Sequence, residues 1–486
     1  MAEQDKTRVA QPPAFTRSLS GLGIIILTMS VLSPGVSVLV SGGSILTLAG
    51  TGTVLAFAIG SLVCYCQTAM AAELGAAYPT AGYDYAAIGH AVGDWAGATT
   101  YIASICSIPL FLNTSAIGIA LYLQPFGIPL SDNMITWITM AVIAALSMLN
   151  IRSNEYITGI FMLIEGAALL LIFGIGAWHI QPGAGAAMIH PMHVKSGAWL
   201  PVGIALTGIA VNNASWALAG ASQALMFSED MKHPRTIGRI IMIAFAATIV
   251  LETAPMFGVI AGSHDLRAVL AAKSPFETFL TQYLPAFGLK MVSLAIAITI
   301  FNACLAGTIG IGRNVFSMGR TRLFAEPINR AVMQLTPKTD APWVAIALIC
   351  VTTGLATYLS LGFKVLLLSG NYTILTIFYV WGVLAGRRSG RTGRGEAYRS
   401  PAFPVIPLIG ILIVCGEMVV LWLDKDSGRY SLFICGGIYA LSFCYYRFVL
   451  MRRPGGWTLR GPDDIDAATA RAAPGNPQNP GAASAP

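Results

Sequence analysis

The sequence predicts an all-α membrane protein with twelve transmembrane helices. Of its 486 residues, 55% are hydrophobic and only 10% are charged, and the mean hydropathy is +0.69. Twelve apolar stretches are each long enough to cross a hydrocarbon core about 30 Å thick. An ordinary soluble domain has roughly 25% charged residues. A water-soluble globular enzyme is therefore excluded, and lipid surrounds most of the chain.

The twelve stretches lie between a polar cytoplasmic N-terminal segment, residues 1–20, and a polar tail, residues 451–486. The first stretch is too long for a signal-peptide core and lacks a small-residue cleavage pattern, so we expect it to be retained. The tail is poor in large apolar residues, which predicts a disordered cytoplasmic end. The predicted stretches are 21–48, 52–76, 96–123, 134–150, 156–179, 199–227, 239–262, 285–313, 342–361, 364–386, 404–423 and 430–450.

The basic residues predict the orientation. Cytoplasmic loops carry an excess of Lys and Arg, and a cytoplasmic N-terminus leaves 22 of them inside and seven outside. Both termini should therefore be cytoplasmic, in a multi-pass protein of the cell membrane, which we expect to be a bacterial inner membrane. The net charge of +7 needs no nucleic-acid partner, because this bias and contact with anionic lipid account for it. The lipid bilayer is the expected surrounding, and the protein is expected to be a monomer or a homodimer. The seven outside residues are Lys195, Arg267, Lys273, Lys290, Lys364, Lys425 and Arg429.

No pattern in the sequence indicates an enzyme. All eight cysteines fall inside predicted stretches, and the six histidines lie in loops or at the ends of stretches. Cys64 and Cys66 are two residues apart and would point to different faces of a helix, so they are poor joint metal ligands. A zinc site or a Ser-His-Asp arrangement has no local support. We expect no catalytic residue, no metal and no organic cofactor.

Two apolar stretches contain interruptions. The first carries Ser33, Pro34, Gly35, Val36 and Ser37, where proline removes a backbone donor and glycine adds freedom. Unwound backbone at membrane depth survives only where protein or a watery cavity satisfies it. The half-helix after such a break presents free N–H groups that suit a carboxylate. A simple proline kink is the alternative.

The sixth stretch offers the matching interruption, in the run 212–223. Two asparagines, two serines and a glutamine in this run are costly in a membrane unless they bond to each other, to backbone or to a ligand. Paired discontinuous helices in two halves of a transporter indicate a central substrate site. The halves would be residues 21–180 and 199–386, a division inferred from the layout alone.

Several motifs resemble those of the amino acid-polyamine-organocation (APC) family of permeases. The run ELGAAYPTAGY, residues 73–83, resembles the family signature, and SEDMKHPR, residues 228–235, resembles its acidic loop. Residues 313–320 and 341–345 resemble the exit of its eighth helix and the entry of its ninth. The resemblance covers about residues 17–450 and implies a LeuT-like fold. That fold has two inverted five-helix repeats with broken helices 1 and 6, and helices 11 and 12 (404–450) at the periphery.

The resemblance also implies where a substrate would bind. Family members hold the substrate carboxylate at the unwound first helix and the α-amino group at carbonyls of the sixth. An aromatic lid lies four residues before the glycine of the sixth helix, the place of Trp216, which could instead be packed or lipid-facing. Glu73 and Arg239, near the cytoplasmic face, are candidates for an inner gate. The predicted binding residues are Ser33, Gly35, Val36, Ser37, Trp216, Ala217, Ala219 and Gly220, with Asn113 and Asn302 as possible pocket lining.

The acidic residues refine the prediction. Many relatives carry an acid two positions after the glycine of the sixth helix, where this chain has Ser222. The third, sixth, eighth and tenth stretches contain no Asp or Glu, which favours a neutral or small amino acid over an arginine or polyamine. Glu165, Glu252 and Glu417 do lie inside stretches, and an intramembrane acid is a functional candidate by default. Glu165 and, as a second candidate, Glu252 are predicted to couple transport to protons, whereas Glu417 is predicted to be structural. The alternative for Glu165 is a buried, permanently protonated residue that only makes hydrogen bonds.

The predicted function is a secondary active amino acid permease that works by alternating access with proton symport. Its partner is a small-molecule amino acid, and the proton is the coupling ion, although sodium coupling stays open. Alternatives are an amine or polyamine carrier, an amino acid exchanger of the same fold, and a non-transporting amino acid receptor.

Overall fold

The computed structural model describes residues 15, 17–390, 392, 398–423, 428–453, 457 and 459. Helices dominate this part of the chain, and one two-stranded sheet accompanies them. The predicted disordered tail lies almost wholly outside the described residues. In chain order the elements are α1 (Gly21–Leu32), α2 (Pro34–Val36), α3 (Gly42–Ala49), α4 (Thr53–Ala77), α5 (Tyr83–Val92), α6 (Asp94–Leu123), α7 (Asp132–Ser147), α8 (Ile151–Trp178), α9 (Ala184–Ile189), β1 (Met192–Lys195), β2 (Ala198–Pro201), α10 (Ile204–Ala217), α11 (Ile237–Gly262), α12 (Leu266–Ala271), α13 (Pro275–Thr281), α14 (Ala286–Arg320), α15 (Glu326–Val332), α16 (Trp343–Leu355), α17 (Leu361–Arg388), α18 (Val405–Leu423) and α19 (Gly428–Tyr445).

Shorter helical turns join several of these elements. Two of them are π-helical and the rest are 3₁₀ segments. The π-helical turns are Ser37–Ser41 and Tyr446–Leu450, and the 3₁₀ segments are Gly50–Gly52, Gln124–Phe126, Ala221–Asp230, Pro234–Thr236 and Ala356–Tyr358.

Within the described residues, eight helical segments are long and apolar enough to cross a membrane. The predicted fourth and ninth stretches appear as two shorter apolar helices, Asp132–Ser147 and Trp343–Tyr358. The predicted tenth stretch coincides with α17, and the sixth is divided between α10 and the 3₁₀ segment 221–230. An all-helical membrane protein is confirmed. The eight segments are Gly21–Leu39, Gly42–Ala77, Asp94–Leu123, Ile151–Trp178, Pro234–Gly262, Ala286–Arg320, Val405–Leu423 and Gly428–Leu450.

The start of the sixth stretch, predicted at residue 199, is wrong. Residues Ala198–Pro201 form β2, which pairs antiparallel with β1 in the register Met192↔Pro201. Trp199 and Leu200 are apolar and so counted toward a membrane span, although both are more than a third exposed. The backbone N–H of Met192 also donates to the Thr51 hydroxyl at 2.9 Å. The hairpin therefore lies against the turn between α3 and α4.

The helix α14 forms the centre of the molecule, since almost every residue from Asn302 to Arg320 is buried. It packs against α6, α8 and α1. Helices α8 and α11 also touch closely, because a side chain at Gly176 would meet the backbone of Gly258. Small residues allow such close contact between membrane helices. This packing brings side chains of α8, α11 and α14 to the end of α1, where the first stretch is interrupted.

The first helix is interrupted at its middle. Helix α1 begins at Ser20, whose hydroxyl accepts from Gly23 N at 3.1 Å, and it ends before Ser33, which has φ +45°. Pro34 follows, and a proline disfavours helical backbone in the residue before it. The chain then passes through α2 and the π-helical turn into α3.

The sixth stretch is interrupted as well. Helix α10 ends at Ala217, and residues 218–220 separate it from the ten-residue 3₁₀ segment 221–230. Gly220 has φ +125°, a conformation that residues with a side chain rarely adopt. The glycine therefore permits the break at this position.

Candidate functional site

A buried carboxylate occupies the break of the first helix. Glu165, on α8, is 2% exposed, and its Oε1 atom accepts from the Gly35 backbone N–H at 2.7 Å. The same oxygen accepts from the Ser33 hydroxyl at 3.1 Å. The Gly35 N–H is available because it lies in the first turn after the break and has no helical acceptor, whereas the Ser33 hydroxyl is a side-chain donor. A carboxylate thus satisfies the unwound backbone, and it comes from the protein itself.

Gly35 is required here by close contact. A Cβ atom at this position would lie 2.5 Å from Thr299 Cγ2 and 3.1 Å from Glu165 Cγ. Thr299 belongs to α14 and is 1% exposed, so its methyl group has little room to move. A side chain at position 35 would therefore press against Thr299 and displace the backbone N–H from Glu165.

The two helix breaks are joined by one hydrogen bond. The Ser37 hydroxyl, on the π-helical turn, donates to the Ala217 carbonyl at 2.9 Å. That carbonyl is one of the acceptors predicted for a substrate amino group. In the structure both predicted anchor points, the Gly35 N–H and the Ala217 carbonyl, are occupied by groups of the protein.

Two further polar side chains in this region lack regular hydrogen bonds to the described residues. Both carboxyl oxygens of Glu252, on α11, are unpartnered, as are both amide atoms of Asn302, on α14. Each side chain is fully buried. Glu252 has Ser37 and Glu165 as neighbours, and Asn302 lies beside Glu165. Buried polar groups without partners are rare, and in this position they indicate ligand or proton binding.

We call these residues the break cluster: Ser33, Gly35, Ser37, Glu165, Ala217, Glu252 and Asn302. All seven belong to the predicted substrate-binding or proton-coupling sets. The sequence predicts the two breaks as one substrate site, with Glu165 and Glu252 as separate intramembrane acids. The structure brings together residues from both helix breaks and from α8, α11 and α14, which are far apart in the chain.

Other predicted binding residues lie around the breaks. The Val36 N–H donates to the Ser33 hydroxyl at 3.4 Å. The Trp216 side chain is 38% exposed, and its carbonyl accepts from Ala219 N at 3.2 Å. The Gly220 carbonyl accepts from Gln223 N at 2.8 Å. The lid role of Trp216 stays a prediction.

Asn113 serves a different set of contacts. Its Nδ2 atom donates to the Thr353 carbonyl and to the Thr357 hydroxyl, each at 2.8 Å. Its Oδ1 atom accepts from Lys364 Nζ at 2.7 Å. The amide thus ties α6 to α17 and to the end of α16, and the structure does not place it in the break cluster.

The two gate candidates, Glu73 and Arg239, do not meet each other. The Glu73 carboxylate accepts two hydrogen bonds from Arg387, both at 2.7 Å, and one from the backbone N–H of Ser400 at 2.9 Å. Arg239 is exposed. Glu73 therefore joins α4 to the end of α17, and the gate roles of both residues stay predictions.

Asp84 is a polar residue that the sequence reasoning missed. It lies in α5 and is 1% exposed, and its carboxyl accepts from the Ser222 hydroxyl at 3.5 Å. Ser222 also bonds to the Tyr83 hydroxyl at 3.0 Å. Burial raises the pKa of the Asp84 carboxyl to about 7, although hydrogen bonds from Tyr379, Tyr83 and Ser222 act in the opposite direction. The acid that seemed to be missing at Ser222 is thus supplied by another element.

Two buried ion pairs lie at the end of the bundle where α1 begins. Arg313 Nε lies 2.6 Å from Asp230 Oδ2, and Arg320 Nη2 lies 2.5 Å from Glu229 Oε1. Burial alone would raise the pKa of Glu229, but Arg320 outweighs it and holds that pKa below its ordinary value. These pairs join α14 to the end of the 3₁₀ segment 221–230.

Among the described residues, no three His, Cys, Asp or Glu side chains come together in a way that could hold a metal ion. The break cluster instead offers backbone N–H and carbonyl groups, hydroxyls, an amide and two carboxyls. Such a set can bind a small zwitterion or take up a proton.

Comparison with known proteins gives a consistent result. The family model described as amino acid permease matches residues 19–441. The branched-chain amino acid permease BcaP of Lactococcus lactis subsp. cremoris is 24% identical over 437 residues, which cover 84% of this chain and 91% of BcaP. The inner membrane transport protein YbaT of Escherichia coli is 23% identical over 432 residues, which cover 84% of this chain and 93% of YbaT. The uncharacterized transporter Rv1999c of Mycobacterium tuberculosis is 23% identical over 279 residues, covering 56% of this chain and 59% of that protein.

Proposed function

This chain belongs to the amino acid permease family, and from that membership we propose that it carries a neutral or small amino acid by alternating access, with proton symport. It is a multi-pass membrane transporter and not an enzyme. The LeuT-like arrangement of two inverted repeats is part of the proposal. The broken first and sixth helices support it, because such breaks form the substrate site of that arrangement.

The contacts of the two helix breaks carry the proposal. The Gly35 N–H and the Ser33 hydroxyl are donors that suit an α-carboxylate, and the Ala217 carbonyl is an acceptor that suits an α-ammonium group. Glu165 and Ser37 now hold these groups at 2.7 and 2.9 Å. An amino acid between the breaks would replace both internal contacts with its own. Recognition through backbone selects the common amino acid scaffold and leaves the side chain to other contacts.

Glu165 is the proposed proton-coupling residue. It links α8 to the broken α1 through a bond between a carboxylate and a backbone N–H, and such charge-assisted bonds are strong. Protonation removes the charge and weakens that bond. A ligand or proton shifts a conformational equilibrium only through such a difference between states. The proton gradient would therefore act on the position of α1. Glu252 is the second candidate, supported by its unpartnered carboxyl oxygens.

A neutral, apolar amino acid is the proposed substrate. The described residues of the break cluster include no Lys or Arg, and their two acids are the ones assigned to proton coupling. The similar BcaP is named as a branched-chain amino acid permease. Leucine, isoleucine and valine are therefore the first compounds to test.

An amine carrier is the second candidate, and one observation favours it. Glu165 and Glu252 are two buried acids next to the same helix break, and a pair of carboxylates attracts a cation. A monoamine or polyamine would use that pair without needing the Gly35 N–H. Competition separates the two proposals. Amines should displace the labelled substrate if the protein is an amine carrier. They should leave amino acid uptake unchanged if it is an amino acid permease.

The proposed location is a bacterial inner membrane with both termini in the cytoplasm. Arg152, Arg313 and Arg387 lie at one end of the bundle, where Arg152 reaches the Ser18 carbonyl. Positive residues favour the cytoplasmic side. Alkaline phosphatase and green fluorescent protein can be fused in turn to the C-terminus. With a cytoplasmic C-terminus, we expect the green fluorescent protein fusion to be fluorescent and the phosphatase fusion to be inactive. An active phosphatase fusion would reverse the orientation.

Uptake into proteoliposomes tests the function. A panel of labelled amino acids and amines is offered in sodium-free buffer, with and without an inward proton gradient. We expect saturable accumulation of an amino acid that depends on the gradient. Rapid exchange into preloaded vesicles without net accumulation would mean an exchanger. Accumulation only of amines would favour the second candidate, and accumulation only after sodium is added would replace the proton as coupling ion.

Glu165→Gln tests the coupling step. This variant should lose uptake driven by the gradient and retain exchange, because a glutamine cannot release a proton. Glu417→Gln is the matched control, since Glu417 is also an intramembrane acid but lies on α18, which contributes no residue to the break cluster. An unchanged pH dependence in Glu165→Gln would remove Glu165 from the coupling mechanism.

A further inference from the structure

The Glu165 carboxylate makes its hydrogen bonds to the first helix break through one of its two oxygens. Its Oε1 atom accepts from Gly35 N and the Ser33 hydroxyl at 2.7 and 3.1 Å. Its Oε2 atom is buried without a hydrogen bond to the described residues. Asn302 lies beside it with both amide atoms unpartnered. An amide that offers both a donor and an acceptor therefore faces a half-satisfied carboxyl group.

We propose that Glu165 is an internal substitute for the substrate carboxylate, and that its transfer from Gly35 to Asn302 opens the site. This inference rests on the proposed function, because it takes the substrate to be an amino acid. With the site empty, Glu165 holds the Gly35 N–H and the Ser33 hydroxyl. With substrate present, the substrate carboxylate holds these two donors and Glu165 holds the Asn302 amide.

The transfer requires a proton for a chemical reason. The Asn302 amide presents N–H donors on one side and a carbonyl acceptor on the other, as every primary amide does. A protonated carboxyl group matches both, because its O–H donates to Oδ1 and its other oxygen accepts from Nδ2. An ionised carboxylate can only accept and would face Oδ1 without a hydrogen. Glu165 therefore pairs fully with Asn302 only when it is protonated.

The two carboxylates exclude each other at Gly35. A Cβ atom on residue 35 would lie 2.5 Å from Thr299 and 3.1 Å from Glu165, so the space at the side-chain position of residue 35 is already filled. Two ionised carboxylates in one site also repel each other. The substrate carboxylate thus enters when Glu165 has bound a proton and left. One proton per substrate follows from this exchange.

A similar exchange is available to Ser37. Its hydroxyl now donates to the Ala217 carbonyl at 2.9 Å, and the unpartnered Glu252 carboxyl is its neighbour. An arriving ammonium group would take the carbonyl, and the hydroxyl would turn to Glu252. Glu165 and Ser37 therefore each have an alternative partner within the break cluster, Asn302 for Glu165 and Glu252 for Ser37.

The groups that face Glu165 leave few other sources for a pH effect. Glu252, from α11, is the titratable group next to it. The broken first helix presents Ser33 and Gly35, and α14 presents Asn302, none of which titrates. Glu252→Gln is therefore the variant that separates the two acids.

The test is equilibrium binding of labelled amino acid to the purified full-length protein between pH 5 and pH 8. The probe is L-leucine, followed by the amino acid that accumulates best in proteoliposomes. Wild-type affinity should fall about tenfold per pH unit above the titration midpoint, as one-proton linkage requires. Glu165→Ala should bind at least as tightly at pH 8 as at pH 5, and Glu165→Gln should also lose the pH dependence. Glu417→Ala should keep the wild-type slope and affinity. Glu252→Gln should keep the slope, but its affinity should fall because Ser37 loses its alternative partner.

Two further measurements probe the parts of the exchange. In Glu165→Ala the vacated site should accept a free carboxylate. Acetate at about 50 mM should therefore compete with leucine, because a ligand this small binds with an affinity on the order of millimolar. Leucine binding to wild type at pH 8 should not change when acetate is added. Asn302→Ala should weaken binding at every pH, because protonated Glu165 then lacks its second partner.

The outcomes separate this inference from the function on which it rests. If wild type binds no amino acid of the panel at any pH, the proposed function fails and the inference fails with it. If wild type binds leucine but Glu165→Ala and Glu165→Gln keep the wild-type slope, only the inference fails. Loss of binding in both variants at all pH values would also overturn it, because Glu165 would then support the substrate instead of competing with it.

Discussion

The Glu229 carboxylate accepts two hydrogen bonds from the Arg320 guanidinium, at 2.8 and 2.5 Å, where both side chains are almost fully buried. The backbone N–H of Ala81 donates to the same carboxylate at 2.8 Å. One acid thus joins the end of α14, the 3₁₀ segment 221–230 and the loop before α5. None of these three elements adjoins another in sequence.

Glu229→Gln should lower the free energy of unfolding by about 3 to 5 kcal/mol, because it leaves a buried guanidinium without its counter-charge. Thermal unfolding of the detergent-solubilised protein measures the change. Glu326→Gln is the control, since the Glu326–Arg330 pair is exposed and worth about 0 to 1 kcal/mol. Equal effects of the two substitutions would contradict the prediction.

Acid should weaken the same contact. Arg320 holds the pKa of Glu229 below its ordinary 4.5, so the folded state favours the ionised form. The stabilisation is present above pH 4.5 and is lost as the pH falls through the lowered pKa. Melting temperatures recorded from pH 6 downward should fall less steeply in Glu229→Gln than in wild type.

Asp84 should have the opposite pH dependence. Burial raises its pKa from 3.8 to about 7, so the folded state binds the proton more tightly than the unfolded state. Its contribution to stability is present at low pH and is lost as the pH rises from about 4 to about 7. Asp84→Asn should remove this loss and raise the melting temperature at pH 8. Asp132→Asn, an exposed acid, should leave the pH profile unchanged; a profile that Asp84→Asn also leaves unchanged would contradict the assignment.

Gly35→Ala should abolish transport, because the added methyl group would lie 2.5 Å from Thr299 Cγ2. Overpacking of this kind costs about 1 to 3 kcal/mol and displaces the backbone N–H at the first break. The double variant Gly35→Ala with Thr299→Ser removes the opposing methyl group and should recover part of the uptake. Thr299→Ser alone serves as the control and should stay active. Full activity of Gly35→Ala would show that the contact does not restrict the site.

Ser37→Ala should destabilise the substrate-free protein by about 1 kcal/mol, the usual value of a lost hydrogen bond. The Ala217 carbonyl loses its donor, and a bound amino group should restore one. The rise in melting temperature caused by substrate should therefore be larger in Ser37→Ala than in wild type. Ser44→Ala is the matched control, since its exposed hydroxyl bonds within its own helix turn. A smaller rise in Ser37→Ala would mean that the hydroxyl contacts the substrate directly.

The break of the first helix could be predicted because its cause is local. Pro34 acts on the residue before it and on its own missing N–H, and both effects are visible in five consecutive letters. The partner of the break could not be predicted in the same way. Glu165 lies 130 residues after Gly35, and only the packing of α8 against α1 brings them together. The sequence nominated Glu165 as an intramembrane acid without indicating which atoms it binds.

The contact between Asp84 and Ser222 could not be predicted from the departure at Ser222 alone, because the two residues lie 138 positions apart in the chain. A signal was present, since Asp84 stands between two tyrosines in a chain that has only 22 acids. Lys364 is a second case. It was counted among the outside basic residues, whereas its side chain is 1% exposed and bonds to Asn113. The sequence cannot distinguish an exposed loop lysine from a buried helical lysine when the residue lies close to the predicted start of a helix.

The beginning of the chain is fastened to the far side of the second helix break. Leu19 pairs with Met231 as a short parallel bridge, and the backbone N–H groups of Ser18 and Leu19 both donate to the Asp230 carbonyl at 2.9 Å. Lys232 N in turn donates to the Leu19 carbonyl at 3.1 Å. These bonds strap the start of α1 to the end of the 3₁₀ segment 221–230. A movement of the 3₁₀ segment 221–230 should therefore move α1 with it, so we expect these two elements to move as one rigid unit.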